Sequence, residues 1–312
     1  MDAGPWSPSL ADKPWLRGNL HTHTTNSDGR LSPQETIDWF SSNGYDVLAL
    51  TDHNSITDPA PLDPRGMVLL TASEVSASGG ELGGTYHLVS LGLTPAAALP
   101  PVATPATGSI RTLRALGAVV FVAHPHWSGL TVGDLLAAQE AGAHGIEIYN
   151  GGTVLDSQKG EALVHWDEAL ARGARLSGIA VDDTHWHTID RALGWVMVRP
   201  ARPTPNAVLE ALAAGHFYAS SGPEIRQVSI IAQSDGIQVD VETSACAAIY
   251  ALGYGSRNQF AFDRDAAARS EVGATITSAS FTLRELGPAG YVRLQCTDWQ
   301  RRSAWTNPLF PR

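Results

Sequence analysis

Short apolar runs alternate with helical segments along much of this chain, and this alternation limits its fold more than any other feature. The runs lie at residues 46–50, 67–70, 86–89, 118–122, 145–149 and 176–181. They are nearly continuous, which is typical of strands covered on both faces. Helices are predicted from Pro33 to a stop at Asn43-Gly44, and at residues 110–116, 134–139 and 157–171. This order predicts an α/β fold built on a parallel sheet.

Histidines and carboxylates lie at or next to the ends of these runs. His21 and His23 follow a short run at residues 15–20. Because alternate residues of a strand point the same way, we expect both imidazoles to converge. Residues at the C-terminal ends of parallel barrel strands meet in one pocket. The residues expected there are His21, His23, Asp28, Asp52, His53, Glu74, His87, His124, Asp183 and His185.

These residue types point to a metal site. Imidazole and carboxylate together, without a functional thiolate, suit Zn²⁺, Mn²⁺ or Fe²⁺. The candidate ligands are too numerous for one tetrahedral ion. We therefore expect two or three divalent ions as cofactors.

The pattern changes near Gly222-Pro223. The 312 residues allow one large domain of about 200 to 250 residues and a small second one. Short alternating strands with turn residues between them predict a small antiparallel β-sandwich over 223–312, with the barrel-like domain over 1–222. All 11 histidines lie at or before His216, so the chemistry is expected in the first domain. The late strands are predicted at 225–232, 237–242, 247–251, 275–281 and 291–296.

The net charge of −10 argues against a basic face for nucleic acid or anionic lipid. A small anionic substrate, including a small nucleotide, stays open because bound divalent ions would reverse the field in the pocket. No apolar run approaches about 18 residues, so no membrane span is expected. The N-terminus lacks a secretory pattern, which favours a cytoplasmic location, with export open if a signal peptide was removed.

The two cysteines, Cys246 and Cys296, have no neighbouring Cys or His at zinc-finger spacing. We expect buried thiols. A disulfide between them stays open only for an oxidising compartment.

Four motifs in order resemble the polymerase-and-histidinol-phosphatase (PHP) family of metallohydrolases over roughly residues 17–222. They are His21-Thr22-His23 with Ser27-Asp28-Gly29, then Thr51-Asp52-His53-Asn54, then His124-Pro125, and finally Asp183-Thr184-His185. Three further segments resemble its carbaryl-hydrolase-like subfamily: Gly151-Gly152, Ser220-Ser221-Gly222-Pro223 and Ala304-Trp305-Thr306-Asn307-Pro308.

The resemblance implies a distorted (β/α)7 barrel and an assignment of ligands. His21, His23, Glu74 and Asp183 would hold one ion. Glu74, His87 and His124 would hold a second, with Glu74 as the bridge. Asp28, His53 and His185 would hold a third. Asp52 is a further possible ligand, and we expect it instead to orient an imidazole through the other ring nitrogen.

The implied activity is hydrolysis of a small phosphomonoester or phosphodiester, with Glu74 and Asp183 in the catalytic centre. A hydroxide bridging two ions about 3.5 to 4 Å apart would attack the ester. The same metals would also permit hydrolysis of a carboxylic or carbamate ester. A third alternative is a non-catalytic module in which the metals only stabilise the fold.

Other residues are candidates for proton transfer or substrate contact, and each has a structural alternative. His126 and His187, two residues beyond proposed ligands, are candidate proton donors or hydrogen-bonded rim histidines. Glu147 and Asn150 are candidates to contact substrate or to support a ligand, or else to cap a strand. Three basic residues are candidates to bind phosphate, or else solvated surface charges: Arg30, Lys159 and Arg226. Three aromatic residues are candidates to contact an organic substituent, or else to pack in the core: Tyr149, Trp127 and Trp186.

Overall fold

The computed structural model describes residues 4–255, 257–269, 271–284, 286 and 289–311. The strands are β1 Leu16–Asn19, β2 Val47–Leu50, β3 Val68–Ala77, β4 Tyr86–Leu91, β5 Val119–Val122, β6 Gly145–Asn150, β7 Ser177–Val181, β8 Trp195–Val198, β9 Phe217–Ser220, β10 Ile225–Gln233, β11 Gly236–Cys246, β12 Ala248–Leu252, β13 Asn258–Ala261, β14 Ile276–Leu283, β15 Arg293–Thr297 and β16 Ser303–Thr306. The α-helices are α1 Pro33–Ser42, α2 Ala106–Ala115, α3 Val132–Ala141, α4 Gly151–Ser157, α5 Leu163–Ala171, α6 Pro205–Ala213 and α7 Arg264–Ala268.

A 13-stranded sheet organises the fold, with the order β13-β12-β15-β16-β9-β8-β1-β2-β3-β4-β5-β6-β7. β1, β2 and β3 are parallel, and so are β5, β6 and β7. β4 is antiparallel to both of its neighbours. The mixed α/β class is confirmed, but the expectation of an entirely parallel sheet is wrong at β4. The reason is local: β3 returns to β4 through a short loop with no crossover helix.

The sheet curls, but it does not close through a regular ladder. β1 and β7 meet at one isolated bridge, Thr22–Thr184, flanked by hydrogen bonds from His23 N to Thr184 O (2.9 Å) and from Asp183 N to His21 O (3.1 Å). A closed (β/α)7 barrel is therefore not confirmed. The curl still brings the ends of β1 and β7 together, and these are the ends that carry the first and last motifs.

Apolar packing fixes both faces of the curled sheet. Leu20, Val89 and Phe121 are fully buried in the cluster enclosed by the strands. Ile110 and Trp166 are fully buried in the cluster between the strands and the outer helices. Such double coverage explains why the strands read as continuous apolar runs.

Helix α1 begins where the sequence predicts. Ser32 Oγ accepts a hydrogen bond from Glu35 N (3.3 Å), and Glu35 Oε2 accepts one from Ser32 N (2.9 Å). This reciprocal capping box, with Pro33 at the first helical position, satisfies amides that the helix itself leaves free. The helix predicted at 157–171 begins later, at Leu163, as α5, and a separate short helix, α4, ends at Ser157.

The late strands form two layers. β12, β13, β15 and β16 extend the large sheet, while β10, β11 and β14 form a separate three-stranded antiparallel sheet. Val239, Phe281 and Leu294 are buried in the core shared by these layers. Because the large sheet continues across residue 222, the two-domain division stays a prediction. The short strands β13 and β16 were missed from the sequence.

Both cysteines are buried and free. In the described part of the chain, no helix is long and apolar enough to span a membrane.

Candidate metal centre

His21 and His23 lie just after β1 and are fully buried. Their Nε2 atoms are 3.1 Å apart. Thr22, between them, donates its backbone N–H to Thr51 Oγ1 (2.8 Å), which holds this segment against the end of β2. The predicted convergence of the two imidazoles is confirmed.

Glu74 lies at the centre of the cluster, with a side chain that is only 1% exposed. Its Oε2 is 3.3 Å from Nε2 of both His21 and His23, and 2.8 Å from His53 Nδ1. Its Oε1 is 2.8 Å from His87 Nδ1 and 3.1 Å from His124 Nε2. β3 is longer than the predicted run, so Glu74 belongs to the strand itself rather than to a loop after it.

Asp183 faces the same two histidines from the end of β7. Its Oδ1 is 3.2 Å from His21 Nε2 and 3.1 Å from His23 Nε2. Asp183 and His124 both have positive φ, at 54° and 25°. Non-glycine residues rarely adopt this conformation, and such strain concentrates at functional sites.

Asp28, His53 and His185 meet on the more open side. The Asp28 carboxylate is 3.5 Å from His53 Nε2, 3.6 Å from His185 Nε2 and 3.6 Å from His23 Nδ1. Its side chain is 53% exposed, whereas those of His21 and His23 are inaccessible. The third predicted group is therefore brought together, in contact with solvent.

The donor set fits divalent cations. Glu74 Oε2 and Asp183 Oδ1 are buried oxygens that accept no well-aligned hydrogen bond, although imidazole nitrogens lie as close as 2.8 and 3.1 Å. Leaving a buried carboxylate oxygen unpaired is costly unless a cation compensates it. Among the described residues, three groups have ligand atoms within 4.8 Å of one another: His23, Asp28, His53 and His185; His21, His23 and Asp183; and His53, Glu74 and His87.

The proton equilibria reflect the density of charge. Burial alone would lower the pKa of His21, but the carboxylates of Asp183, Glu74 and Glu147 outweigh it and hold that pKa well above its usual value. The same opposition raises the pKa of His23 to about 9. Burial would raise the pKa of Glu74, yet the neighbouring imidazoles, His21 first, hold it well below its usual range. Without a metal, protons would take the place of cations here.

Glu147 and Asn150 support the ligands from below. Both are fully buried. Glu147 Oε1 is 2.6 Å from His21 Nδ1, and its Oε2 accepts from His124 N and from Asn150 Nδ2, both at 2.8 Å. Asn150 Nδ2 also donates to Asp183 Oδ2 (3.0 Å). A carboxylate behind a histidine fixes its tautomer and orientation, so the geometry favours a supporting role over substrate contact.

Asp52 does not take the position expected of it. Its carboxylate accepts hydrogen bonds from Thr24 N (2.8 Å), Ser27 Oγ (2.8 Å) and Thr57 Oγ1 (2.7 Å). It therefore anchors the loop that carries Asp28, and it does so without orienting an imidazole directly.

A cavity of about 310 Å³ opens over the cluster. Seven of the nine predicted ligands line it, while His21 and His23 lie beneath. His187 also lines it, and its Nε2 is 2.9 Å from the Asp28 carbonyl oxygen. A larger cavity of about 660 Å³, near His144 and Arg175, contains none of the predicted site residues.

Several sequence candidates lie elsewhere. His126 lines a separate cavity with His165, and its Nδ1 is 3.1 Å from the Glu161 carbonyl oxygen. Arg30 and Lys159 are exposed and absent from the lining. Arg226, on β10, pairs with Glu224 just before that strand (3.2 Å). The strand-end pattern could not tell the direction of a side chain in the loop that follows.

Of the three aromatic candidates, only Trp127 lines the cavity. Trp186 packs on Trp39, with ring centroids 5.3 Å apart, and Tyr149 packs on Trp305 at 5.9 Å.

Four lining residues were missed from the sequence: Thr153, Asp156, Thr188 and Asp190. They come from α4 and from the loop after His187. No strand-end signal marks them. Asp190 accepts hydrogen bonds from Thr184 Oγ1 (3.1 Å) and His185 N (2.8 Å), so it fixes the fourth motif.

Parts of the chain are similar in sequence to two known enzymes. No family model matches the chain. A 3',5'-nucleoside bisphosphate phosphatase of Chromobacterium violaceum is 40% identical over 82 residues, and a 5'-3' exoribonuclease of Haemophilus influenzae is 39% identical over 77 residues. These matches cover 25% and 23% of this chain, and only 28% and 27% of the two relatives.

The fold comparison extends over nearly the whole chain. A crystal structure from Bacteroides vulgatus, described as a two-domain protein containing a predicted PHP-like metal-dependent phosphoesterase, has a TM-score of 0.53 at 16% identity. The likeness covers 95% of this chain and 96% of that one. The chain therefore shares the overall fold of that PHP-like two-domain protein, which is the kind of fold that its four motifs predict.

Proposed function

We propose that this protein is a metal-dependent phosphoesterase that hydrolyses a small phosphomonoester or phosphodiester. One observation carries the proposal: the unpaired buried oxygens of Glu74 and Asp183 face a ring of imidazoles beneath an open cavity. The partial matches to a phosphatase and an exoribonuclease support the same chemistry.

Two or three divalent ions are proposed, held by the nine residues assigned above. Glu74 would contribute a ligand atom to more than one of these ions, because its two oxygens face different histidines. When bound, neighbouring divalent ions lower the pKa of a water molecule and neutralise charge on phosphoryl oxygens.

The chain itself orients and encloses the reactants. Glu147 and Asn150 hold His21 and Asp183 in place from below. His187 is the proposed proton donor to the leaving oxygen, because it lines the cavity while His126 does not. Trp127 and α4 form the side walls.

A substrate panel tests the proposal. Protein stripped with a chelator and reloaded separately with Zn²⁺, Mn²⁺ or Fe²⁺ is assayed on p-nitrophenyl phosphate, bis-p-nitrophenyl phosphate, naphthyl acetate and a naphthyl carbamate. We expect metal-dependent turnover selective for the phosphate esters, with metal content measured on the same samples. Selective turnover of the acetate or carbamate would establish the ester-hydrolase alternative instead.

A Glu74→Gln variant tests the location of the site. We expect it to stay folded and to lose at least about 100-fold of the turnover, since it changes a ligand rather than a supporting group. Glu140→Gln, on the exposed surface of α3, is the matched control. Full turnover by a folded Glu74→Gln variant would move the site elsewhere or favour the non-catalytic module.

A further inference from the structure

Trp127 is the one large aromatic side chain of the described cavity lining outside the imidazoles, and it is 45% exposed. Its ring centroid is 4.9 Å from that of His124 at an interplanar angle of 77°, and 6.1 Å from that of His87 at 58°. The indole thus stands beside two proposed ligands and keeps much of its surface open.

The turn that carries Trp127 is well fixed. Ser128 N donates to His124 O (3.0 Å), and Leu130 N donates to Pro125 O (2.9 Å). Ser128 Oγ is 3.0 Å from His124 Nδ1. An exposed ring that is already ordered loses little entropy on contact, so it suits stacking against a planar group.

The carboxylates that line the cavity have no lysine or arginine beside them in the described lining. Its described lining contains five carboxylates, Asp28, Glu74, Asp156, Asp183 and Asp190, but no lysine or arginine. Asp28, Glu74 and Asp183 are proposed ligands, and Asp190 is hydrogen-bonded within its own loop. Asp156 remains, exposed on α4 and facing the same space.

Arg191, in the loop after His187, makes its contacts within that loop and with two tryptophan rings. Arg191 Nη1 donates to the Thr188 carbonyl oxygen (2.8 Å), and its guanidinium carbon lies 5.9 Å from the ring centroids of both Trp39 and Trp186. Because the described lining has no lysine or arginine, the proposed metal ions would be its main positive charge. They can accept one phosphate, but a second phosphate farther out would meet Asp156.

We propose that the site takes a phosphate ester whose leaving group is an uncharged aromatic group stacked on Trp127, and that it disfavours esters whose leaving group carries a second phosphate. This inference rests on the proposed phosphoesterase function and specifies its substrate class.

Two pairs of substrates separate the parts of the inference. Benzyl phosphate and n-propyl phosphate have alkyl leaving groups of similar acidity, so a difference between them reports the ring. Adenosine 5'-monophosphate and adenosine 3',5'-bisphosphate share the base and differ in the second phosphate. For Mn²⁺-loaded protein, we expect kcat/KM to favour benzyl over propyl phosphate by about tenfold or more. We expect it also to favour the monophosphate over the bisphosphate by about tenfold or more, because like charges in contact cost several kcal/mol.

Variants assign these preferences to residues. Trp127→Ala and Trp127→Leu should each raise KM for benzyl phosphate about tenfold while changing KM for propyl phosphate less than about twofold. Asp156→Asn should narrow the ratio between monophosphate and bisphosphate. Trp299→Ala removes a similarly exposed tryptophan of the C-terminal region, 48% exposed, and should change neither ratio. Equal effects of the Trp127 variants on both alkyl esters, or a preference for the bisphosphate, would overturn the inference.

A binding measurement keeps this inference distinct from the proposed function. Benzylphosphonate and propylphosphonate cannot be hydrolysed as esters, and calorimetry gives their affinities for the metal-loaded protein directly. If no phosphate ester is turned over but benzylphosphonate binds more tightly through Trp127, the phosphoesterase proposal fails and the aromatic site stands. If esters are hydrolysed but the two phosphonates bind equally, the aromatic site fails and the phosphoesterase stands.

Discussion

Glu147→Gln tests whether the hydrogen bonds below the cluster tune its affinity for metal. In the wild-type protein the carboxylate accepts three hydrogen bonds, from His21 Nδ1, His124 N and Asn150 Nδ2. Glutamine has nearly the same shape but only one acceptor oxygen, and its amide nitrogen donates. The glutamine amide therefore has two possible orientations, and each one disturbs at least one of these three hydrogen bonds.

In the first orientation the amide nitrogen faces His21. His21 must then accept at Nδ1 and carry its proton on Nε2, the atom aimed at Glu74 and Asp183, which is the wrong tautomer for a metal ligand. In the second orientation the amide nitrogen faces His124 N and Asn150 Nδ2, and buried donors are left unpaired at about 1–3 kcal/mol each. We therefore expect metal affinity to fall about 10- to 100-fold, which corresponds to about 1.4–2.8 kcal/mol.

Isothermal titration of metal-free protein with Mn²⁺, and competition with a chelator for Zn²⁺, measure this change. Circular dichroism shows whether the variant is folded, and Glu140→Gln controls for the removal of one negative charge. A folded Glu147→Gln protein whose affinity for both metals stays within about threefold of wild type would refute the supporting role.

Three other predictions concern the scaffold. Gly152→Ala would place a Cβ 2.9 Å from the Asp183 carbonyl oxygen. Calorimetric unfolding should therefore show a free energy of unfolding lower by about 1–3 kcal/mol, together with lower turnover. Gly108→Ala in α2 is the control, and equal losses in the two variants would contradict this prediction. Burial and the Arg114 guanidinium lower the pKa of His144 from 6.5 to about 4, so its contribution to stability is complete above about pH 6.5 and is lost as the pH falls toward about 4. Between pH 7 and pH 4.5, the free energy of unfolding of His144→Gln should fall by about 1–2 kcal/mol less than that of the wild type, after allowing for partial exposure. Equal falls in the free energy of unfolding of the two proteins in denaturant titrations would contradict this. Asp167 binds the buried Arg293 through two hydrogen bonds of 2.7 and 2.6 Å, so Asp167→Asn should lower the free energy of unfolding by about 1–3 kcal/mol. The exposed pair made by Glu168 on the same helix should contribute under about 1 kcal/mol, and a Glu168→Gln variant with the larger loss would reverse this ranking.

The sequence predicted the metal-ligand candidates at strand ends better than the loop residues around them. His21, His23, Glu74 and Asp183 were expected together because strand ends of one sheet converge, and they do lie together. The directions in which loop side chains point could not be predicted, since loop residues have no fixed periodicity. His187 faces the cavity while His126, at the corresponding position after its motif, faces a different one.

The sequence by itself determined the α/β class, the order of the motifs and the types of ligand atom in the candidate metal centre. These depend on the periodicity of strands and helices and on the side chains present, which are local properties. Only the tertiary structure decided that β4 runs antiparallel, that β1 and β7 meet at a single bridge, and that Glu147 lies beneath His21. These features join residues far apart along the chain. They depend on packing of the whole curled sheet, which no local pattern encodes.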